Sequence, residues 1–87
     1  MITNFHKSFM KSYGKLSPKL KQKTDLVVRN FRRNPFDILL RNHALSGKMN
    51  SKRAISVTGN ICIVFEEHGD YVLVVMLDVG AHGKVYG

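Results

Sequence analysis

The chain of 87 residues has one cysteine, no tryptophan, two prolines and no long apolar segment. Its single cysteine, Cys62, excludes a disulfide within the chain and suits a reducing compartment. The longest apolar run, residues 71–77, is far shorter than the roughly 20 residues that a membrane-spanning helix needs. The first seven residues also lack the apolar stretch of a secretion signal. We therefore expect a cytoplasmic protein, and the length predicts a single domain over residues 1–87.

Acidic residues are also scarce, since six Asp and Glu stand against 14 Lys and Arg, a net charge of +8. Residues 1–53 carry 13 basic and two acidic side chains, a net charge of +11. Residues 54–87 carry one basic and four acidic side chains, a net charge of −3. The lysines within residues 19–23 are typical of a solvated helix face. The remaining excess indicates a polyanionic partner, either a nucleic acid or an acidic protein segment.

The N-terminal part of the chain has helical periodicity. Phe5, Phe9 and Tyr13 recur every four residues, which predicts an apolar stripe on a short first helix. Ser17 and Pro18 are typical of an N-cap followed by the first residue of a second helix. A second apolar stripe follows, made of Leu20, Thr24, Val27, Val28 and Phe31. The two stripes predict a helical hairpin within residues 6–33.

The C-terminal part has strand-like patterning. Residues 53–57, 61–65 and 71–77 are rich in β-branched residues, and residues 58–60 and 66–70 are typical turns. Turns this short require neighbouring strands to pair antiparallel. The predicted fold class is therefore α+β, with the N-terminal helical hairpin packed on a small antiparallel sheet of three or four strands. Residues 2–5 are a further candidate for an edge strand.

A polar connector, residues 38–49, joins the two parts and contains His43 and Lys48. Lys52 and Arg53 follow it directly. A polar loop that enters a hydrophobic sheet is a common place for functional side chains. A single loop histidine is equally typical of a hydrogen bond that fixes the loop.

The segment 79–87 carries His82 and Tyr86 four residues apart among glycines. An imidazole can give or take a proton near neutral pH. A tyrosine offers a ring for stacking and a hydroxyl for hydrogen bonding. These two residues are therefore candidates for a functional site, although an exposed histidine and a tyrosine packed at a sheet edge are the simpler interpretation.

The order of these pieces resembles the RelE/ParE superfamily of bacterial toxin–antitoxin toxins, most closely its YafQ-like branch of ribosome-dependent mRNA endoribonucleases. The resemblance rests on Phe-x-x-Asn-Pro at residues 31–35, Leu-x-x-His-x-Leu-x-Gly-Lys at 40–48, a basic residue at 53, and Val-Gly-x-His with Val-Tyr within 79–86. It covers nearly the whole chain. It implies a RelE-like fold and a toxin that inhibits translation by metal-independent cleavage of mRNA.

The resemblance also implies roles for individual residues. His43 matches a histidine of the active-site loop, His82 a histidine that handles the proton of the attacking or leaving oxygen, and Tyr86 an aromatic residue that stacks on or orients the nucleotide. Arg53 matches a basic strand residue on the same concave surface. The residues expected to bind RNA or phosphate are Lys48, Lys52, Arg53 and Lys84.

Three positions depart from the pattern of the family. Ser56 stands where YafQ-like enzymes have a second histidine, Asn60 where they have an aspartate, and Cys62 where many relatives have arginine. Ser56 and Asn60 can support a site by hydrogen bonding, but neither acts as a base at neutral pH. General acid–base catalysis contributes roughly 10²–10⁴-fold, so these departures leave a weakened enzyme as one alternative.

The implied partners are a cognate acidic antitoxin and the ribosome with its mRNA, without a cofactor or a membrane. The histidines are scattered and the cysteine is single, so no metal site is predicted. Two alternatives stay open: a non-enzymatic, ParE-like gyrase inhibitor, and a weakened toxin that still binds its antitoxin. His43, His82 and Tyr86 favour the enzyme, whereas Ser56 and Asn60 favour the alternatives.

Overall fold

A computed structural model describes residues 1–86, apart from the side chains of Lys84 and Tyr86. In chain order the elements are β1 (Ile2–Phe5), α1 (Lys7–Gly14), α2 (Pro18–Arg33), β2 (His43–Ala44), β3 (Arg53–Ser56), β4 (Ile61–His68), β5 (Leu73–Ala81) and α3 (His82–Tyr86). Two single 3₁₀ turns, Ile38–Leu40 and Gly47–Met49, lie before and after β2. Helices packed on a sheet confirm the α+β class. No helix in the described residues is long and apolar enough to cross a membrane.

The helical hairpin begins and ends where the sequence predicts. Ser17 caps α2, because its Oγ accepts a hydrogen bond of 3.2 Å from the backbone N–H of Leu20. Pro18 is the first residue of α2, where a missing N–H costs little. Phe5 differs from the prediction, since it lies in β1 and not on the first helix. Its ring still contacts Phe9 with 5.1 Å between the ring centroids, so the apolar stripe continues across the strand–helix junction.

The sheet has five strands in the order β1-β5-β4-β3-β2. The antiparallel pairing of β3, β4 and β5 confirms the predicted meander. The strand β1 is parallel to β5, with Ile2 opposite Leu73 and Phe5 opposite Met76, so the sheet is mixed. Short turns predict antiparallel pairing only for strands that follow each other directly. The chain continues from β1 into α1 instead, and β1 pairs with a strand some 70 residues later.

The sheet has two faces, which the cross-strand pairing defines. The helix face packs against α1 and α2 and carries most of the core, and its buried sheet residues include Ile55, Ile63, Phe65, Met76 and Val79. Phe31 of α2 meets Phe65 edge to face, with 4.9 Å between the ring centroids. The opposite face, here called the α3 face, carries Cys62 and Val64, and Val85 of α3 packs on them.

Candidate functional site

The α3 face brings together the two segments that the sequence singled out. Leu45 and Met49, from the connector around β2, pack against the same small cluster that contains Val85 of α3. Alternation along β3 and β4 places His43, Ser56 and Cys62 on this face, since His43 pairs with Ala54 and Ser56 pairs with Cys62. The candidate site is therefore the surface around α3 and β2.

His43 is exposed, and its ring orientation is fixed by the backbone. Its Nδ1 lies 2.8 Å from the carbonyl oxygen of Arg41. A carbonyl oxygen can only accept, so Nδ1 carries the proton in this hydrogen bond. In the neutral ring Nε2 then bears a free lone pair, which is the form that acts as a base.

A cleft of 460 Å³ opens beside His43. Its walls are residues 43–46, Lys48 and Met49. Lys48 is exposed and lines the same cleft as His43, so it adds a positive charge to the cleft. Gly47 has a φ of +65°, a conformation that a residue with a Cβ rarely adopts, and it forms the turn that carries Lys48.

His82 is exposed and is the first residue of α3, directly after β5. Val85, 8% exposed, anchors this short helix on Cys62 and Val64. Tyr86 and Lys84 belong to the same helix, but their side chains lie outside the described residues. Their assignment to catalysis and to RNA binding stays a prediction.

Lys52 lies on the α3 side of the sheet but is already paired. Its Nζ is 3.8 Å from Oε2 of Glu66, and His68 Nε2 lies 3.9 Å from Oε1 of the same carboxylate. A partly neutralised lysine is a weaker phosphate ligand than Lys48.

Arg53 and His43 lie on opposite faces of the sheet, which differs from the expectation that both lie on one concave surface; the assignment of Arg53 to phosphate binding stays a prediction. Arg53 pairs with the core residue Phe65 and therefore points to the helix face. Its Nε donates a hydrogen bond of 2.9 Å to Oδ1 of Asn42. The physical reason is strand alternation: Ala54, one residue later, is the one that pairs with His43.

The two supporting residues have different surroundings. Ser56 is half-buried on the α3 face, opposite Cys62 in the neighbouring strand. Asn60 lies in the exposed turn between β3 and β4, where its backbone N–H donates to Thr58 Oγ1 at 3.2 Å. Among the described residues, no group of three His, Cys, Asp or Glu side chains is placed to hold a metal ion.

A second concave surface, here called the hairpin groove, was not found from the sequence. It has a volume of 680 Å³ and lies between β1, α1 and α2. Its apolar part includes Met1, Phe5, Met10 and Val28, and its basic part consists of Arg29, Arg32 and Arg33. Thr24 also lines it, and the buried hydroxyl of this residue has no hydrogen-bond partner in the described part of the chain. The sequence signal for this groove is a set of exposed apolar residues and arginines. These residues belong to three separate elements, β1, α1 and α2, so no single segment of the sequence shows them together.

Comparison with solved structures gives the fold an independent reference. The chain is similar to a YoeB/ParE toxin from Agrobacterium tumefaciens, with a TM-score of 0.78 and 20% identity over 94% of this chain and 99% of that one. It is similar to YafQ from E. coli, with a TM-score of 0.80 and 17% identity over 98% and 97% of the two chains. A RelB–RelE antitoxin–toxin complex from Methanococcus jannaschii gives a TM-score of 0.74 and 20% identity over 95% and 94%.

No protein-family model matches the chain, and no curated protein matches it in sequence. The structural matches confirm that this chain has the fold of the RelE/ParE toxins, with YafQ among its structural neighbours.

Proposed function

We propose that this protein is the toxin of a bacterial type II toxin–antitoxin system and that it cuts mRNA on the ribosome without a metal ion. The observation that carries the proposal is His43, whose Nδ1 is held by the Arg41 carbonyl and whose Nε2 is thereby left as a base beside the basic cleft. The neighbours in fold, which are toxins by name, support the same class of function.

The chemistry needs three groups, and the α3 face offers a candidate for each. Nε2 of His43 removes the proton of the 2′-hydroxyl, and the resulting oxygen attacks the scissile phosphorus. Lys48 offsets the negative charge that develops on the phosphorane. His82, in its protonated form, donates a proton to the departing 5′-oxygen, so the products are a 2′,3′-cyclic phosphate and a 5′-hydroxyl. Tyr86 is proposed to stack on or orient the nucleotide.

The ribosome supplies what this small site lacks. Ser56 and Asn60 cannot replace a second base or a carboxylate. Holding the mRNA in line with the attacking hydroxyl is an entropic contribution that a bound ribosome can make. A protein of net charge +8 is also attracted to ribosomal RNA over a long range.

The proposed protein partner is an acidic antitoxin. The hairpin groove supports this part of the proposal, because it combines exposed apolar side chains with three arginines. Phe5 is 42% and Met10 56% exposed. Exposed apolar surface of this kind, beside a groove, is typical of a site that binds another protein. A segment with apolar residues flanked by carboxylates matches both features. One solved structure with a similar fold is that of YafQ from E. coli in complex with DinJ.

A non-enzymatic, ParE-like gyrase inhibitor is the second candidate. The observation that favours it is the chemistry of Ser56 and Asn60, neither of which can act as a proton carrier on the proposed active surface. A weakened toxin that retains antitoxin binding is the intermediate case.

The decisive experiment compares two activities of the purified protein. Cleavage is followed by mapping new 5′ ends in an mRNA translated on ribosomes, and gyrase inhibition is followed by supercoiling of a plasmid. We expect ribosome-dependent cuts with 5′-hydroxyl ends and no effect on supercoiling. Inhibition of gyrase without new mRNA ends would establish the second candidate.

Substitutions assign the cleavage to the site. His43→Ala and His82→Ala are each expected to lower the cleavage rate by roughly 10²–10⁴-fold, with thermal stability near that of the unsubstituted protein because both imidazoles are exposed. Tyr86→Ala is expected to lower it more than Tyr86→Phe if the ring stacks. His68→Ala is the matched control, since His68 is an exposed histidine that pairs with Leu73, at the opposite end of β5 from His82. Full growth inhibition by His82→Ala would contradict the endoribonuclease.

A further inference from the structure

We propose that Asn42 and Arg53 are positioning residues, which hold the Arg41 carbonyl against His43 and so select the ring tautomer in which Nε2 is the base. The part of this proposal that concerns rate rests on the proposed endoribonuclease. The part that concerns the tautomer stands on the contacts alone.

The strand that carries His43 is held weakly by its own backbone. β2 has two residues, His43 and Ala44, paired with Ala54 and Arg53 of β3. One further backbone hydrogen bond, 2.9 Å from Leu45 N to Lys52 O, continues the pairing. A strand this short at a sheet edge is marginal by itself. Something else must fix the position of His43.

Asn42, the residue before His43, supplies the missing constraint through its side chain. Its Nδ2 donates to the carbonyl oxygen of Pro35 and to the hydroxyl of Tyr71, both at 3.0 Å. Its Oδ1 accepts from Arg53 Nε at 2.9 Å. One half-buried amide therefore connects β2 to the end of α2, to β3 and to the turn before β5.

Two unusual backbone conformations meet at this amide. Arg41, directly before Asn42, has a φ of +53°, and Tyr71, which Asn42 contacts, has a φ of +70°. Residues with a Cβ are uncommon in this left-handed region. Such conformations persist only where the surroundings over-determine them, and they cluster at functional sites. Tyr71 is held by its ring contacts with Phe31, Phe36 and Phe65, and its backbone N–H donates to Glu67.

The conformation of Arg41 has a direct consequence for His43. The Arg41 carbonyl is the group that accepts the hydrogen bond from His43 Nδ1. The peptide unit that contains this carbonyl also contains the backbone nitrogen of Asn42. Fixing the side chain of Asn42 therefore fixes the direction of the carbonyl, and the carbonyl determines which ring nitrogen carries the proton.

Arg53 is required as an arginine in this arrangement. Its contact to Asn42 uses Nε, an N–H within the planar guanidinium. Lysine keeps the charge but carries its donors on a terminal ammonium, so it cannot reproduce the Nε contact with the same geometry. A lysine at this position would still provide the positive charge that phosphate binding needs. Arg53→Lys therefore distinguishes a role in positioning Asn42 from a role in binding phosphate.

The test reads the tautomer of His43 directly, from the ¹⁵N chemical shifts of its ring at about pH 8.5, two units above the reference histidine pKa. In the unsubstituted protein we expect the form protonated on Nδ1 to dominate. In Asn42→Ala, Arg53→Lys and Tyr71→Phe we expect a mixture with the form protonated on Nε2. Tyr71→Phe removes only the hydroxyl and keeps the ring in the core, so it reports even if Asn42→Ala fails to fold.

Val27→Ala is the matched control, because it removes part of a half-buried side chain that packs against the core on α2. It is expected to lower the thermal stability while leaving the ring shifts of His43 unchanged. Unchanged shifts in folded Arg53→Lys and Tyr71→Phe would overturn the positioning role.

Cleavage kinetics separate this inference from the proposed function. If both hold, Arg53→Lys lowers kcat on the order of 10–100-fold with little change in KM, as expected for a misplaced base. If the tautomer shifts as expected and the unsubstituted protein does not cut mRNA, the proposed function is wrong and the positioning of His43 is confirmed.

Discussion

The hydroxyl of Tyr13 donates a hydrogen bond of 2.7 Å to Oδ1 of Asp25. Tyr13 lies on α1 and Asp25 on α2, so this bond closes the helical hairpin beneath the groove. The bond raises the pKa of Tyr13, with further contributions from desolvation and from the charge of Asp25. The hydrogen bond also occupies one carboxylate oxygen of Asp25, which lines the hairpin groove. The three arginines that line the groove therefore give it a net positive charge.

This hydrogen bond predicts a loss of stability at high pH. The neutral tyrosine is favoured in the folded protein, so its contribution is complete below the unfolded tyrosine pKa of about 10 and is lost as the pH rises through the folded pKa. The free energy of unfolding of the unsubstituted protein should therefore approach that of Tyr13→Phe above about pH 10. Urea unfolding of both proteins between about pH 8 and pH 11 measures this, and a constant difference between them would contradict it.

Val85 anchors α3, and its truncation should lower the cleavage rate strongly while lowering the free energy of unfolding only modestly. Val85→Ala takes two buried methyl groups from the contact with Cys62 and Val64, which costs roughly 1–2 kcal/mol. The helix that carries His82 then loses its attachment, and we expect ribosome-dependent cleavage to fall at least about 10-fold.

Val79→Ala is the matched control for that substitution, because Val79 is fully buried on the helix face. It should cost at least as much stability, measured by urea unfolding, and retain most of the cleavage. Equal losses of activity in Val85→Ala and Val79→Ala would show that α3 has no special role.

Lys48 and Arg53 should differ in the salt dependence of RNA binding. Lys48 is exposed at the cleft, so Lys48→Ala should weaken binding and lower the slope of log K against log salt by about 0.7, the value of one phosphate contact on a single strand. Arg53→Ala should leave the slope unchanged, because its guanidinium is engaged with Asn42. Filter binding of a short single-stranded RNA over a series of salt concentrations distinguishes the two.

The hairpin groove should matter for the partner and not for cleavage. Met10→Glu places a carboxylate among the apolar groove residues and should weaken antitoxin binding about 10-fold or more. The control is Gln22→Glu, which makes the same change in charge at an exposed position of α2 outside the groove. Calorimetry with the product of a neighbouring acidic reading frame measures both, and equal affinities would remove the groove from the interface.

The elements that were predicted correctly are those with local signals. Ser17 and Pro18 mark a helix start by their own chemistry, and the β-branched runs pair with their neighbours through short turns. The turn before β5 was placed too early, at residues 66–70, because β4 continues to His68 and the turn occupies residues 69–72. Left-handed backbone at Gly69, Asp70 and Tyr71 makes this turn, and the tyrosine is the residue that its type does not predict there.

The differences at the candidate site, which are the face of Arg53 and the contacts of Asn42, have another origin. A basic residue at the start of β3 is compatible with either face, and a shift of one residue exchanges the faces. The register of β2 against β3 therefore decides whether Arg53 or Ala54 shares a face with His43. A strand of two residues has no periodicity, so the sequence does not reveal this register. Asn42 was missed for a related reason, since its contacts come from Pro35, Arg53 and Tyr71, which are up to 29 residues away.

The parallel pairing of β1 with β5 joins two segments that are far apart in the chain. Because a ribosome makes a chain from its N-terminal side, residues 2–5 are synthesised well before residues 73–76, with which they pair. The growing chain therefore carries Ile2 and Phe5 without a strand partner until β5 has been made. The helix α3 follows β5, so the surface around α3 and β2 is also completed only at that stage. In that interval β1, α1 and α2 are open to binding by the antitoxin proposed above.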